Sequence, residues 1–199
     1  MPEHEAFVER IRKHLPSSPP AAFLFAHWSH QGRPTEEAIA IMAVPGADPK
    51  KVVEAVMDVD HYVGNVEHVV ECRSIADPRF PPPDHVRFYQ RINVPILGNI
   101  HHQLVLHRMP EAGGYQVVAW EVLRTETDGL PSKEAFRSDY NHGAWVVAPG
   151  ILGYGLGSAP KREDVGFLKW KALTSGADVA ASRVLKANIE GMGRWAARR

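Results

Sequence analysis

The stretch Val44-Pro45-Gly46-Ala47-Asp48-Pro49-Lys50-Lys51-Val52-Val53-Glu54-Ala55-Val56-Met57-Asp58-Val59-Asp60-His61-Tyr62 decides the fold, because a strand end, a turn and a helix start follow one another in it. Pro45-Gly46 closes an apolar, β-branched run that opens at Glu37, and that run reads as a strand. Asp48 can accept from the free N–H groups of a first helical turn, and Pro49, with no N–H to leave unpaired, suits the first helical position. Val52, Val53, Val56 and Met57 then form an apolar stripe at helical spacing, which Asp58-Val59-Asp60 ends.

On the N-terminal side, Phe7, Ile11 and Leu15 recur at i, i+4 and i+8, giving a short amphipathic helix with Glu9, Arg10, Arg12 and Lys13 on its other side. Pro16-Ser17-Ser18-Pro19-Pro20 stops it. The aromatic stretch Phe23 to Trp28 reads either as a second helix or as irregular packing. On the C-terminal side come strand-like runs at 67–75, 85–97, 99–109 and 115–123, separated by Pro-rich and Gly-rich breaks. Two more runs, 140–147 and 165–173, flank a glycine-rich stretch. Short strands this closely spaced predict a mostly antiparallel meander. The chain closes on a long helix from Asp178 to about Ala197. Ala181, Leu185, Ile189, Met192 and Trp195 mark one face, Arg183, Lys186, Glu190 and Arg194 the other, and Asp178 lies in the first turn, where it suits the helix dipole.

The chain has 199 residues, 44% hydrophobic and 23% charged, which is one domain's worth of ordinary globular composition. Lysine and arginine number 23 and aspartate and glutamate 23, so the formal net charge is zero, without the basic footprint of a nucleic-acid binder. A lone cysteine, Cys72, makes no internal disulfide, which favours a reducing compartment. No apolar run approaches the ~20 residues of a membrane span, and the acidic start lacks a secretory pattern. The expectation is a cytoplasmic protein that spans no membrane, with transient membrane contact and oligomeric state left open.

Strand alternation assigns the side chains to faces. Val86, Phe88, Ile92 and Val94 share a face that also holds Gln90, opposite Arg87, Tyr89, Arg91 and Asn93. Ile100, Leu104 and Leu106 share a face with His102, opposite His101, Gln103, Val105 and His107. In the strand after the first helix, Glu71 and Arg73 read as solvent-facing, which puts His68, Val70 and Cys72 inside. An apolar inner face with a few polar groups is the usual make-up of a ligand pocket. The same groups can equally be satisfied by backbone or water in a plain core.

This order of elements, with the 44–62 stretch, the strand Val69-Val70-Glu71-Cys72 and the closing helix carrying Asn188, Gly191 and Trp195, resembles the START-like lipid-transfer and polyketide cyclase/dehydrase superfamily. The resemblance covers roughly residues 33–197, leaving 1–32 as an N-terminal helical extension before a START-like domain at 33–199. It implies an α+β helix-grip fold: a curved antiparallel sheet wrapped around the C-terminal helix, with an apolar tunnel between them. Members bind sterols, phospholipids, quinones, polyketides or plant hormones, and a minority catalyse cyclisation or dehydration. No family catalytic set maps onto this chain.

Metal and nucleophile signals weigh less. His27 and His30 are three apart, while the adjacent His101 and His102 point to opposite faces of a strand and cannot readily share an ion. Cys72 has no partner in a zinc-ligand spacing, so no metal and no cofactor is expected. Gly153-Tyr154-Gly155-Leu156-Gly157-Ser158 lacks the Lys-Ser/Thr of a phosphate loop and reads as a flexible loop or bulge. Trp120, Trp145 and Trp170 read as packing residues. The reading is a carrier of a hydrophobic small molecule held by His68, Val70, Cys72, Phe88, Gln90, Ile92, His102, Leu104, Leu106, Leu185, Ile189 and Met192. A cyclase or dehydratase using His68 or His102, and an adaptor whose interior is filled by its own side chains, are the alternatives.

Overall fold

A computed structural model describes residues 1–30, 32–95, 97–174 and 178–199. Helix α1 (Glu3–Ile11) is followed by strands β1 (Leu24–Trp28) and β2 (Glu37–Ala43), then by α2 (Pro49–Met57). Next come β3 (Val69–Ser74), β4 (His85–Val94), β5 (Gly98–Ala112) and β6 (Tyr115–Val122), the short α3 (Arg124–Asp128), and β7 (Phe136–Ala148) with β8 (Ile151–Pro160). Helices α4 (Phe167–Thr174) and α5 (Asp178–Ala197) end the chain. The strands form one curved sheet in the order β1-β2-β8-β7-β6-β5-β4-β3, antiparallel except for a short parallel pairing of β5 with β7. The first strands thus sit beside the last, and α2 carries the chain across from β2 to the opposite edge.

Asp48 caps α2 as its sequence requires, its side chain accepting from the Lys50 N–H at 2.9 Å, with Pro49 in the first turn. The α5 stripe of Leu185, Ile189 and Met192 is buried with Val52, Val53 and Val56 of α2 against the inner face of the sheet. There it meets Phe88, Leu104, Leu106, Trp120, Trp145 and Leu152 in one apolar cluster. The sheet therefore grips α5. The side chain of Asp178, expected to complement the helix dipole, lies outside the described residues.

The outer face is covered as well. Phe7, Val8 and Ile11 of α1 pack on Ile39, Ile41, Val117, Ala119, Ala144 and Val146. Arg10, expected on the solvent side of this helix, instead reaches both carboxylate oxygens of the fully buried Glu37 at 2.8 Å. Glu37 also accepts from Trp28 Nε1 at 2.8 Å and lies 2.9 Å from His142 Nε2. Burial pushes the Glu37 carboxyl up, but His142 and Arg10 outweigh it and hold it at about 2. His101 and His107 face outward as alternation requires, yet both are buried: His107 lies under His4 of α1, and His101 lies against Tyr89.

Three local expectations are corrected. The 23–28 stretch forms β1, paired with β2 from Leu24↔Ile41 to Trp28↔Glu37, so the sheet begins before residue 33. The glycine-rich stretch is a regular strand, β8, between β2 and β7. Its glycines bring two strands and their side chains close: a Cβ on Gly155 would stand 2.9 Å from the Ala38 carbonyl oxygen. The 165–173 run is helical, not extended. Its Lys, Leu and Ala residues favour helix, and Trp170 and Leu173, three apart, pack with Leu97, Ile100 and Val165.

Candidate functional site

The inner face of β4, β5, β6 and β7 carries a connected polar chain in the middle of the apolar cluster. His102 is fully buried, with Nε2 3.0 Å from Gln90 Oε1 and Nδ1 2.9 Å from Ser138 Oγ. Only one tautomer satisfies both contacts: Nε2–H donates to the Gln90 carbonyl, and Nδ1 accepts from the Ser138 hydroxyl. Asn141 Nδ2 approaches the same Nδ1 at 3.4 Å, and Asn141 Oδ1 accepts from Trp120 Nε1 at 2.8 Å. Burial, helped by the neighbouring His101, lowers the His102 pKa to about 3. The ring is neutral throughout the physiological range, so it cannot act there as a proton reservoir near neutrality.

Register explains the assembly. His102 lies directly opposite Gln90 in the β4–β5 ladder, and the parallel pairing of β5 with β7 brings Ser138 beside it. Trp120 stands opposite Gly143, and its ring occupies the space a Cβ would need: such an atom would fall 2.2 Å from Trp120 Cζ2. Tyr154 stacks on Trp120 and packs against Trp145, with ring centroids 5.5 and 4.3 Å apart, and burial raises its phenol pKa.

Of the expected site residues, Phe88, Leu104, Leu106, Leu185, Ile189 and Met192 fall in the inner cluster, with Cys72 and Ile92 packed at its margin. Gln90 and His102 lie within the polar chain. Burial and the nearby Asp60 push the Cys72 thiol up to about 12, which makes it an inert core group. Val70 is 45% exposed and His68 lies before β3, not in it, so neither is part of the inner apolar cluster. The cause is a bulge: pairing shifts between Val69 and Glu71, so Val69 and Cys72 point inward and Val70 outward. His68 takes a left-handed φ of 64° at the entry to this strand.

Sequence reading missed Ser138, Asn141 and Asn188. Asn141 shares a face with Gly143 and Trp145 in the 140–147 run, and continued alternation would have found it. Asn188 lies on the buried side of α5 between Leu185 and Met192, 5% exposed. Its Nδ2 donates to the Val184 carbonyl at 2.9 Å, while its Oδ1 is buried with no partner. Unlike the His102 chain, this carbonyl oxygen is left unsatisfied.

Two clefts among the described residues lie elsewhere. One, of about 380 Å³, is lined by Phe136, Gly166, Phe167, Leu168 and Lys169 beside α4. The other, of about 210 Å³, lies among Pro16–Pro19, Gly113–Tyr115 and Ala148–Ile151 on the outer side.

A STAR-related lipid transfer protein fragment from Xanthomonas axonopodis superimposes with a TM-score of 0.69 at 14% identity, over 90% of this chain and 96% of that one. Human STARD10 also gives 0.69 at 14% identity, over 100% of this chain and 81% of that one. The chain has the START-like helix-grip fold. Human StAR-related lipid transfer protein 5 matches with a TM-score of 0.65 at 11% identity, covering 96% of this chain and 94% of that chain. No family model matches the sequence, and no curated protein does. The likeness is thus one of fold, at 11–14% identity.

Proposed function

We propose that the protein binds a hydrophobic small molecule between α5 and the inner face of the sheet, with α5 as the gate. The observation that carries this reading is the unpartnered, buried Oδ1 of Asn188, on the same side of α5 as Leu185, Ile189 and Met192. A buried acceptor left without a donor costs roughly 1–3 kcal/mol, which a ligand hydroxyl or amide N–H would recover. Apolar burial would supply the driving force, at about 25 cal/mol per Å² of ligand surface removed from water. The likeness of the fold to lipid transfer proteins supports the same reading. His102 serves here as scaffold: its contacts are already made and its ring is neutral, which weighs against the cyclase alternative. The protein is read as acting without a cofactor.

The continuous packing of Phe88, Leu104, Leu106, Leu185, Ile189 and Met192 in one cluster favours a second reading, in which the grip is filled and the protein is an adaptor. Titration with an environment-sensitive lipophilic fluorophore separates the two, together with solvent extraction and mass spectrometry of the purified protein. The carrier reading expects about one probe per chain, loss of binding in Leu104→Trp with the fold kept, and roughly fivefold weaker binding of a hydroxyl-bearing ligand in Asn188→Leu. Absence of both probe binding and extractable ligand would leave the adaptor.

A further inference from the structure

The outer face of the sheet carries a second cluster that the ligand reading leaves unused. β5 presents His107, β6 presents Glu121, and α1 brings His4 down onto both, with one donor atom from each lying within 4.8 Å of the others. His4 Nδ1 is 3.1 Å and His107 Nε2 3.8 Å from the same oxygen, Glu121 Oε1. The two imidazoles stack with centroids 4.0 Å apart. His4 is 6% and His107 9% exposed, yet these two ring nitrogens are buried without a hydrogen-bond partner. Glu121 Oε1, 3.1 Å from His4 Nδ1, is the nearest group to it, and the interaction with His4 lowers the Glu121 carboxyl against the effect of burial. Two buried ring nitrogens and a carboxylate oxygen are thus gathered within 4.8 Å, and a modest rotation of the stacked rings would let all three reach one cation.

Three features suit the group to a metal ion. Among the described residues, the ion-pair neighbours of Glu121 are His4 and His107, with no lysine or arginine. His107 Nδ1 lies 3.0 Å from His85 Nδ1, and with His107 donating, its Nε2 keeps a lone pair for the shared point. Such backing by a hydrogen-bonded neighbour is how metal-ligating imidazoles are usually held. The separations of 3.1 and 3.8 Å bracket the edge of about 3.3–3.4 Å expected of a tetrahedron with bonds of about 2.0–2.1 Å. The nearby Glu3–Glu37–His142 group also gathers three donor atoms, but Arg10 already bonds both of its carboxylates at 2.8 Å.

We propose that His4, His107 and Glu121 form a transition-metal site, two imidazoles and one carboxylate, suited to Zn²⁺ with water completing a four-coordinate shell. The ion would pin α1 to the sheet, tying together residues far apart in sequence.

The test uses tag-free full-length protein, stripped with a chelator. Zn²⁺ is titrated against a chromophoric competitor, and Co²⁺ binding is followed by visible absorption. The expected result is one ion per chain at micromolar affinity or tighter, with at least tenfold weaker binding in both His107→Ala and Glu121→Gln. His61→Ala, at an exposed histidine, should leave binding unchanged. Zn²⁺ should raise the melting temperature of the wild type but not of Glu121→Gln, the near-isosteric variant that carries the test if His107→Ala fails to fold. Affinity no tighter than millimolar, or equal affinity in wild type and Glu121→Gln, would overturn the site.

Discussion

His102 shows how a single buried side chain can serve structure while looking like chemistry. Its ring donates once, to Gln90, and accepts from Ser138, so the neutral form fits its surroundings and the charged form does not. The consequence is a pH dependence whose sign follows from linkage. The folded pKa, about 3, lies below the ordinary histidine value of 6.5, so acid favours the unfolded chain. Stability from this group is complete above pH 6.5 and is lost as pH falls toward 3. A single proton sets a limiting slope of about 1.4 kcal/mol per pH unit. Other groups, including Glu37 at about 2, add acid sensitivity below pH 4.5. The contribution of His102 is therefore read as a difference: urea unfolding between pH 6 and 4.5 should show His102→Gln taking up roughly one proton fewer on unfolding than wild type. Equal slopes would mean that the ring already titrates normally in the folded protein. Alternation alone gave the inward direction of Gln90, His102, Leu104 and Leu106. It could not give the partners, because Ser138 and Asn141 come from β7, distant in sequence, and no local pattern encodes the register in which it meets β5. The His4–His107–Glu121 group was illegible for the same reason: its members are far apart in sequence and meet only when α1 docks.

At the scale of elements, the signals that held were those with a local cause. The Asp48-Pro49 start of α2 and the apolar stripe of α5 depend on nearest-turn chemistry, and both stand. The readings that changed depend on neighbours. One inserted residue in β3 reverses Val70 relative to the rest of its strand, and nothing in the residue types announces it. β8 looked like a loop because its glycines carry no alternation, whereas in the sheet they are what permits close approach. Gly143 in β7 states this requirement most sharply, since a Cβ there would lie 2.2 Å from Trp120 Cζ2 and 2.3 Å from the Gly155 carbonyl oxygen. Relief would demand moving both a packed tryptophan and a backbone strand. Gly143→Ala should therefore cost about 3 kcal/mol, at the upper end of ordinary overpacking, and lower the melting temperature by roughly 6–12 °C. Gly166→Ala is the comparison, because its added Cβ meets nothing within 4 Å. If calorimetry finds the two variants equally stable, the Trp120 ring is not clamped over Gly143.

For the whole molecule, the sheet is a partition with α5 and α2 on its inner side and α1 on its outer side, so the ligand reading and the metal reading concern opposite faces. The helix-grip plan was visible in the order of elements, but the covering of the outer face was not. Six charged residues near the N-terminus, Glu3, Glu5, Glu9, Arg10, Arg12 and Lys13, read as a solvated face until Glu37 is placed against Arg10. The same view bears on how an apolar ligand would arrive. The net formal charge is zero, so no broad field draws the protein to a membrane. A local contact is available at the start of α4, where Phe167 and Leu168 are 74% and 80% exposed beside Lys169. Lys169 itself donates to the Leu97 carbonyl at 2.8 Å, which ties this apolar tip to the end of the sheet where Ile100 and Phe136 meet α4. Burying two such side chains in a lipid interface is worth roughly 1.5–3 kcal/mol each at full insertion, enough for transient docking and too little for permanent anchoring. Under the carrier reading, Phe167→Asp combined with Leu168→Asp should leave the melting temperature within a few degrees of wild type. It should also leave fluorophore binding from solution unchanged, while slowing transfer of a fluorescent lipid between vesicles at least tenfold. Both side chains are already in water, so the fold has nothing to lose by the change, and the membrane encounter alone is penalised. Transfer at the wild-type rate would place the membrane contact elsewhere on the surface; loss of solution binding would show instead that the α4 tip belongs to the ligand site.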